Sequence, residues 1–177
     1  MRTRLIYLCL SLILLCSFTA VAQEQPKSAL SPRQFVEAFY HWYAVHVWRE
    51  HGPDVALKYK SSSFSPELVR LLKADLAAQA RCAEIVGIDF DPFLGGQDLG
   101  HHYQVGEITP QGEAYVADIH RVESGKRSAK PDVKAKFQQT NGHWVFVDFL
   151  YPEDGSTLLK ILQSPREKCT DPLPTKK

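Results

Sequence analysis

The apolar residues of the chain repeat with a helical period in its first half and with a strand period in its second half. Ser31 is suited to cap a helix, Pro32 suits its first turn, and Gln34 can return a hydrogen bond to the capping residue. A helix is therefore predicted from there to Gly52-Pro53, which ends it. Its broad apolar face contains Phe35, Val36, Phe39, Tyr40, Tyr43 and Val47, with His46 in the middle.

A second helix is predicted by a similar start at Ser65-Pro66-Glu67, and its pattern continues to about Ala83. Leucines spaced by four residues line one side of it. Asp75 and Gln79 fall within this apolar side, which is unexpected for a helix that only packs against a core.

A change of period after Gly87 marks the second half of the chain. Residues 88–102 are rich in Asp, Gly and Pro and are interpreted as a structured loop. Strands are predicted at 103–109, 113–122, 133–140 and 143–151, where the period is two. Asn141-Gly142 predicts a two-residue hairpin turn, because both residue types tolerate positive φ. This turn places Thr140 opposite His143, Phe137 opposite Phe146, Ala135 opposite Asp148 and Val133 opposite Leu150.

Two helices followed by four antiparallel strands predict an α+β domain. We expect the N-terminal helices to pack on one face of a curved four-stranded antiparallel sheet. A short helix through Leu158, Leu159 and Leu162 is expected to follow the last strand.

The first residues of the chain have the three zones of a secretory signal peptide. Arg2 and Arg4 are followed by an apolar run and then by Ala20-Val21-Ala22, which suits signal-peptidase cleavage. The run is short for a membrane-spanning helix. We therefore predict a signal peptide at 1–22, a polar leader at 23–30, one α+β domain at 31–165 and a polar tail at 166–177, with a periplasmic or extracellular location.

Charge and cysteine content support this interpretation. The whole chain has a formal net charge of +1, and loss of the two arginines in the signal peptide lowers it by two. A nearly neutral protein lacks the basic surface expected for nucleic-acid binding. Cleavage leaves Cys82 and Cys169, which are predicted to form a disulfide in an oxidising compartment; two buried thiols are the alternative.

The loop before the strands contains the first group of candidate site residues: Asp89, Asp91, Gln97 and Asp98. Carboxylates in such a loop commonly accept backbone N–H bonds and hold irregular chain in place. The alternatives are a divalent cation, for which the regular ligand spacing is lacking, and a partner bound through exposed Phe90 and Phe93. His101-His102 lacks the companion motif of a zinc site, and no metal or cofactor is predicted.

A second group consists of polar residues on apolar faces: His46, Asp75, Gln79 and Asp148. If the helices pack on the concave side of the sheet, these side chains converge in one pocket. A histidine beside a buried carboxylate is the pair that general acid–base catalysis uses. A hydrogen-bonded pair in the core, without catalysis, is the structural alternative.

Two segments together resemble a known family. They are Ile88-Asp89-Phe90-Asp91-Pro92-Phe93 followed by Gln97-Asp98, and Asn141-Gly142-His143-Trp144 through Asp148-Phe149 followed by Gly155-Ser156-Thr157-Leu158-Leu159. Both are similar to the YbjP/YqhG-like family of exported bacterial proteins of unknown function. The resemblance covers about residues 31–163 and implies the cone-shaped sheet of the nuclear-transport-factor-two-like superfamily. It does not account for the two cysteines of the mature chain.

These observations favour a non-enzymatic binding module for an envelope or extracellular protein, peptide or ligand. Motifs for nucleophilic catalysis and for phosphate binding are missing from the sequence. Trp48, on the polar side of its helix, is an exposed aromatic side chain that such a module uses. The alternative is a small-molecule pocket with acid–base activity from His46 with Asp75 or Asp148.

Overall fold

Four α-helices, one 3-10 helix (Ser61–Ser63) and five strands follow one another along residues 30–50, 52–84 and 86–164, which are the residues that the computed structural model describes. The elements are α1 Pro32–Glu50, α2 Asp54–Tyr59, α3 Pro66–Gln79, β1 Tyr103–Gln111, β2 Ala114–Glu123, β3 Lys126–Arg127, β4 Val133–Thr140, β5 His143–Leu150 and α4 Leu158–Gln163. The predicted signal peptide, Cys169 and the polar tail lie outside these residues. No helix in the described part has the length and apolarity needed to cross a bilayer.

The two predicted helix starts are confirmed by their capping bonds. The Ser31 N–H donates to Gln34 Oε1 at 2.9 Å, and the Gln34 N–H donates to Ser31 Oγ at 3.2 Å. This is the reciprocal capping box. At the start of α3 the Ser65 Oγ accepts a bond from the Leu68 N–H.

The helical region differs from the prediction in two places. A six-residue helix, α2, follows Gly52-Pro53, and its Val55, Ala56 and Leu57 are buried. In addition, α3 ends at Gln79 rather than near Ala83, and the Gln79 side chain there bonds to a backbone carbonyl of the following loop.

The sheet is antiparallel and open, with the strand order β1-β2-β4-β5. All four predicted strands are present, and the two-residue β3 adds a fifth beside the end of β2. The α+β class, with N-terminal helices and a short C-terminal helix, is therefore confirmed. The cone shape and the superfamily remain predictions.

The register of the last hairpin was predicted correctly only as far as Phe137. Thr140 pairs with His143 and Phe137 with Phe146 as expected, but Lys136 then pairs with Asp148 because an irregularity inserts Val147 as an extra residue in β5. Ala135 consequently faces Phe149, and Lys134 faces Leu150; the predicted pairs of Ala135 with Asp148 and Val133 with Leu150 are wrong. A β-bulge exchanges the faces of all later residues.

The bulge also brings two aromatic rings of β5 into the core. Phe146 and Phe149 are both fully buried although they are three residues apart. The Phe146 ring packs on Phe39 of α1 with centroids 4.9 Å apart, and the Phe149 ring lies 5.1 Å from Phe93 of the loop. The side chains of α1, of the loop and of β5 therefore pack into one core.

Candidate functional site

A cavity of about 620 Å³ lies between the helices and the loop that precedes β1. Its described wall comes from the end of α1, the Gly52-Pro53 turn, α2, the end of α3 and loop residues 88–99. Side chains such as Val47, Leu72 and Leu76 make this wall mainly apolar. None of the described lining residues belongs to the sheet, so the pocket does not lie within a cone of strands as expected.

Asp75 and Gln79 form the polar part of the α3 side of the cavity. The Gln79 Nε2 donates to Asp75 Oδ2 at 2.7 Å and to the Ile88 carbonyl at 2.8 Å. Asp75 is only 3% exposed, and its Oδ1 lies so close to Gly87 that a Cβ there would be 2.3 Å away. The two α3 residues that interrupt its apolar side thus form one pair that joins the helix to the loop.

Asp91 holds the loop itself. Its Oδ1 accepts the backbone N–H groups of Phe93 and Leu94, each at 2.9 Å, and its Oδ2 accepts the Tyr43 hydroxyl at 2.6 Å. The side chain is 6% exposed. Burial raises the pKa of the Asp91 carboxyl from 3.8 to about 6, although its three hydrogen bonds oppose this rise. The predicted structural role of a loop carboxylate is confirmed for this residue.

Two further tyrosines donate hydrogen bonds to the backbone of the same loop. The Tyr40 hydroxyl donates to the Phe93 carbonyl at 2.9 Å, and the Tyr151 hydroxyl donates to the Pro92 carbonyl at 3.0 Å. Burial raises the pKa of both hydroxyls, so both stay protonated donors. Irregular backbone buried in a core needs such partners, and α1 and the residue after β5 supply them.

The other predicted loop residues lie on the surface. Gln97 Nε2 donates to the Asp89 carbonyl at 3.2 Å and to Asp89 Oδ2 at 3.4 Å, while the Asp98 carbonyl accepts a bond from Arg121. Asp89 and Gln97 line the cavity; Asp98 does not. No group of three or more side chains suited to hold a metal occurs among the described residues.

The expectation that Phe90 and Phe93 are exposed is wrong. Phe93 is fully buried, because its ring fills the core between α1 and β5. Phe90 is half-buried and packs edge-on against the Tyr151 ring, with centroids 5.1 Å apart. Trp48, by contrast, is 42% exposed as predicted, and it lies at the cavity with its ring stacked on exposed His101 at 4.6 Å.

The second predicted group does not converge. His46 is half-buried, its Nδ1 lies 2.8 Å from the Trp42 carbonyl, and its ring stacks on Trp42 at 4.5 Å. Asp148 Oδ1 accepts the Leu159 N–H at 2.9 Å, at the start of α4. Neither residue lines the cavity that contains Asp75 and Gln79. The bulge at Val147 explains the placement of Asp148, because it exchanges the face on which that side chain lies.

Cys82 lies just beyond α3 and is 8% exposed. Its predicted partner, Cys169, lies outside the described residues, so the disulfide stays a prediction.

A buried polar group that the sequence did not single out lies on the sheet. His120 of β2 is 4% exposed, and its Nδ1 lies 2.9 Å from the Ser128 carbonyl. The Ser128 hydroxyl donates to Asp132 Oδ2 at 2.7 Å. Ser128 Oγ also lies 2.8 Å from the Lys130 carbonyl and 3.5 Å from His120 Nδ1. His120 Nδ1 must carry a proton to bond the Ser128 carbonyl, so it cannot accept the Ser128 hydroxyl proton, and these side chains do not form a nucleophile-and-base pair.

Comparison with known proteins identifies no relative that assigns a function. No family model matches the chain, and no curated protein matches it. One similar solved structure is the solution structure of a SEC-C motif-containing protein from Rhodopseudomonas palustris. It is 19% identical, with a TM-score of 0.38, over 71% of this chain and 81% of that one.

Proposed function

We propose that this chain is an exported, non-enzymatic binding module whose cavity holds a small, mainly apolar ligand. The observation that supports the proposal is the cavity of about 620 Å³ between the helices and the loop. Small-molecule sites commonly have volumes of about 300–1,000 Å³ and apolar walls with a few polar groups that orient the ligand. Asp75 and Gln79 are those polar groups.

Hydrogen bonds hold the wall of the cavity in place. Three tyrosine hydroxyls and the Asp91 carboxylate hold the loop, and the Gln79 amide ties it to α3. A preformed wall reduces the entropy that is lost on binding. A small ligand is favoured over a protein partner, because Phe93, which was expected to contact a partner, is buried.

The acid–base alternative is not favoured by the geometry. It needs His46 within hydrogen-bond reach of Asp75 or Asp148, and the His46 ring is instead engaged with Trp42. General acid–base catalysis requires the two groups to reach the same substrate atoms.

Export is proposed from the sequence of residues 1–22 and from the cysteine pair. Protein recovered from the producing cells should begin at Gln23, because cleavage follows Ala22. Its mass should be two hydrogen atoms below that of the reduced chain, because Cys82 pairs with Cys169. Intact-mass measurement before and after reduction tests both. A protein that still begins at Met1 and has free thiols contradicts the proposed location.

Ligand binding is tested with the neutral fluorescent probe N-phenyl-1-naphthylamine. The wild type should bind it saturably, and Leu76→Trp should weaken binding because the larger indole takes up part of the cavity. Ala77→Trp is the matched control, since Ala77 is exposed on the same helix and does not line the cavity. Absence of binding by the wild type, or equal binding by both variants, refutes the proposal.

A further inference from the structure

Three of the four large apolar side chains that are exposed in the described part of the chain belong to the end of α1 and to α2. Val45 and Trp48 of α1 are 41% and 42% exposed, and Tyr59, the last residue of α2, is 51% exposed; the fourth is Leu30, just before the start of α1. Exposed apolar residues that occur singly are ordinary, whereas a contiguous group of them indicates a contact surface.

Trp42 connects these exposed side chains. Its half-buried ring meets the Tyr59 ring edge-on, with centroids 6.5 Å apart, and the His46 ring stacks on it at 4.5 Å. Along α1, Trp42, Val45 and Trp48 follow one another at intervals of three residues, so each is a neighbour of the next on the helix surface. Tyr59, Trp42, Val45 and Trp48 therefore form one continuous surface, which we call the exposed strip.

Basic side chains border the exposed strip. Lys60 Nζ lies 5.2 Å from the centre of the Trp42 ring, and Lys58 Nζ lies 4.5 Å from the centre of the Tyr59 ring. Arg49 is exposed in the last turn of α1, one helical turn beyond the middle of the strip. Long basic side chains of this kind lay their apolar stems along a surface and keep their charged ends in water.

The carboxylates of this region compensate the positive charge only in part. Glu50 is paired with Lys58 at 3.0 Å. Among the residues that the structure describes, no carboxylate forms an ion pair with Arg49 or Lys60. The strip therefore carries a local positive charge, although the whole protein is nearly neutral.

Two other carboxylates of α1 and α2 are directed away from the strip. Glu37 pairs with Arg33 in the first half of α1. Asp54 begins α2, at the opposite end from the strip, and its Oδ1 lies close to Gly52, where a Cβ would be 3.0 Å away. Neither carboxylate neutralises the bordering basic side chains.

We infer that the exposed strip docks this protein on the surface of a bilayer that contains anionic phospholipids. Tryptophan and tyrosine are enriched where a membrane meets water, because their rings combine an apolar body with a polar end. Basic side chains beside them are attracted to the negative head groups. A protein partner fits this surface less well, because lysine is depleted at protein interfaces. This inference goes beyond the proposed function and does not depend on the cavity.

The electrostatic part of the docking is tested by cosedimentation with vesicles. Protein recovered from the producing cells should bind vesicles of equal parts phosphatidylglycerol and phosphatidylcholine more tightly than vesicles of phosphatidylcholine alone, and added salt should weaken this binding. Lys60→Gln should lower the affinity roughly fivefold, the effect of one basic side chain near an anionic surface. Lys126→Gln is the matched control, since Lys126 is exposed on β3, and it should bind as the wild type does. Equal binding to both kinds of vesicle, or equal losses in the two lysine variants, refutes the inference.

The apolar part is tested at the aromatic side chains. Tyr59→Ser should weaken binding to the anionic vesicles, whereas Leu30→Ser, at a side chain that is also 51% exposed, should leave it unchanged; Val45→Ser replaces Tyr59→Ser if that variant does not fold. Phospholipids with brominated acyl chains should quench the tryptophan fluorescence of the bound wild type. Trp48→Phe should lose more of this quenching than Trp144→Phe, because the Trp144 indole is bonded to the Leu30 carbonyl away from the strip. Equal binding by the Tyr59 and Leu30 variants, or equal quenching in the two tryptophan variants, contradicts the docking.

Discussion

The charge on Asp91 should make the stability of the protein depend on pH in a direction opposite to that of most paired carboxylates. The carboxyl is buried, and its pKa is raised from 3.8 to about 6. Between about pH 4 and pH 6 the native state therefore holds a proton that the unfolded state has lost. Stability should fall as the pH rises through this window, because the folded protein must then desolvate a charge.

The size of the effect follows from the two pKa values. Each tenfold change in acidity corresponds to about 1.4 kcal/mol, so a rise from 3.8 to about 6 amounts to about 3 kcal/mol when both states are fully ionised. Asp154 contributes with the opposite sign, since hydrogen bonds from the Ser156 N–H and hydroxyl lower the pKa of its carboxyl. A difference between two variants separates the contribution of Asp91 from such terms.

Asp91→Asn is the appropriate perturbation because the amide is isosteric and cannot ionise. Its oxygen can still accept the Phe93 and Leu94 N–H bonds, and the changed contact with Tyr43 affects stability equally at every pH. Urea unfolding at a series of pH values gives the free energy of unfolding. From about pH 4 to pH 7 the variant should gain about 2.4 kcal/mol relative to the wild type, because the rest of the effect falls below pH 4, where the carboxyl of the unfolded chain begins to ionise.

Asp89→Asn is the matched control, since Asp89 lies in the same loop with its side chain exposed. Its difference from the wild type should vary little over the same range. The reasoning is refuted if the difference between Asp91→Asn and the wild type is constant with pH, or if the wild type gains stability relative to the variant as the pH rises.

Two further substitutions test the contacts that shape the site. Gly87→Ala should lower the free energy of unfolding by more than 2 kcal/mol, because φ there is +87° and the new methyl group would meet Asp75 Oδ1. Gly125→Ala is the control, because φ there is +75° and the space around it is open; it should cost only the backbone strain of about 1–2 kcal/mol. Equal losses of unfolding free energy for the two variants would refute the contact between the new methyl group and Asp75. Asp148→Ala should cost about 1 kcal/mol, because the Leu159 N–H at the start of α4 loses its acceptor; an unchanged unfolding midpoint would show that this bond contributes nothing.

Local chemistry explains which elements could be predicted. Ser31 and Gln34 cap α1, and Asn141-Gly142 forms the last hairpin turn with positive φ at both residues. These signals act within a few residues and need no distant partner. By contrast, α2 has six residues and depends on burial for its stability, since isolated helices of that length are not stable.

The bulge in β5 shows where sequence periodicity is insufficient. The turn predicted the pairing of Phe137 with Phe146, but the extra residue, Val147, changes the register of the remainder. Nothing in the local sequence requires the bulge. It is favoured because it lets Phe146 and Phe149 both face the rings of α1 and the loop, and that gain depends on side chains distant in sequence.

The candidate site was predicted in part for the same reason. Asp75 and Gln79 were recognisable because they interrupt the apolar side of one helix, and their bond spans one helical turn. Asp91 was recognisable as a loop carboxylate, but its partner Tyr43 is 48 residues away along the chain. No local pattern indicates that pairing.

The amino-acid sequence alone determined the order of the longer helices and strands, the capped helix starts and the α+β class, because capping, turn geometry and periodicity act over short distances. Only the tertiary structure decided that Asp75 and Gln79 border a cavity with Trp48, while His46 and Asp148 do not. The His46 ring is instead engaged with Trp42 of the same helix, and one extra residue in β5 directs Asp148 to the start of α4.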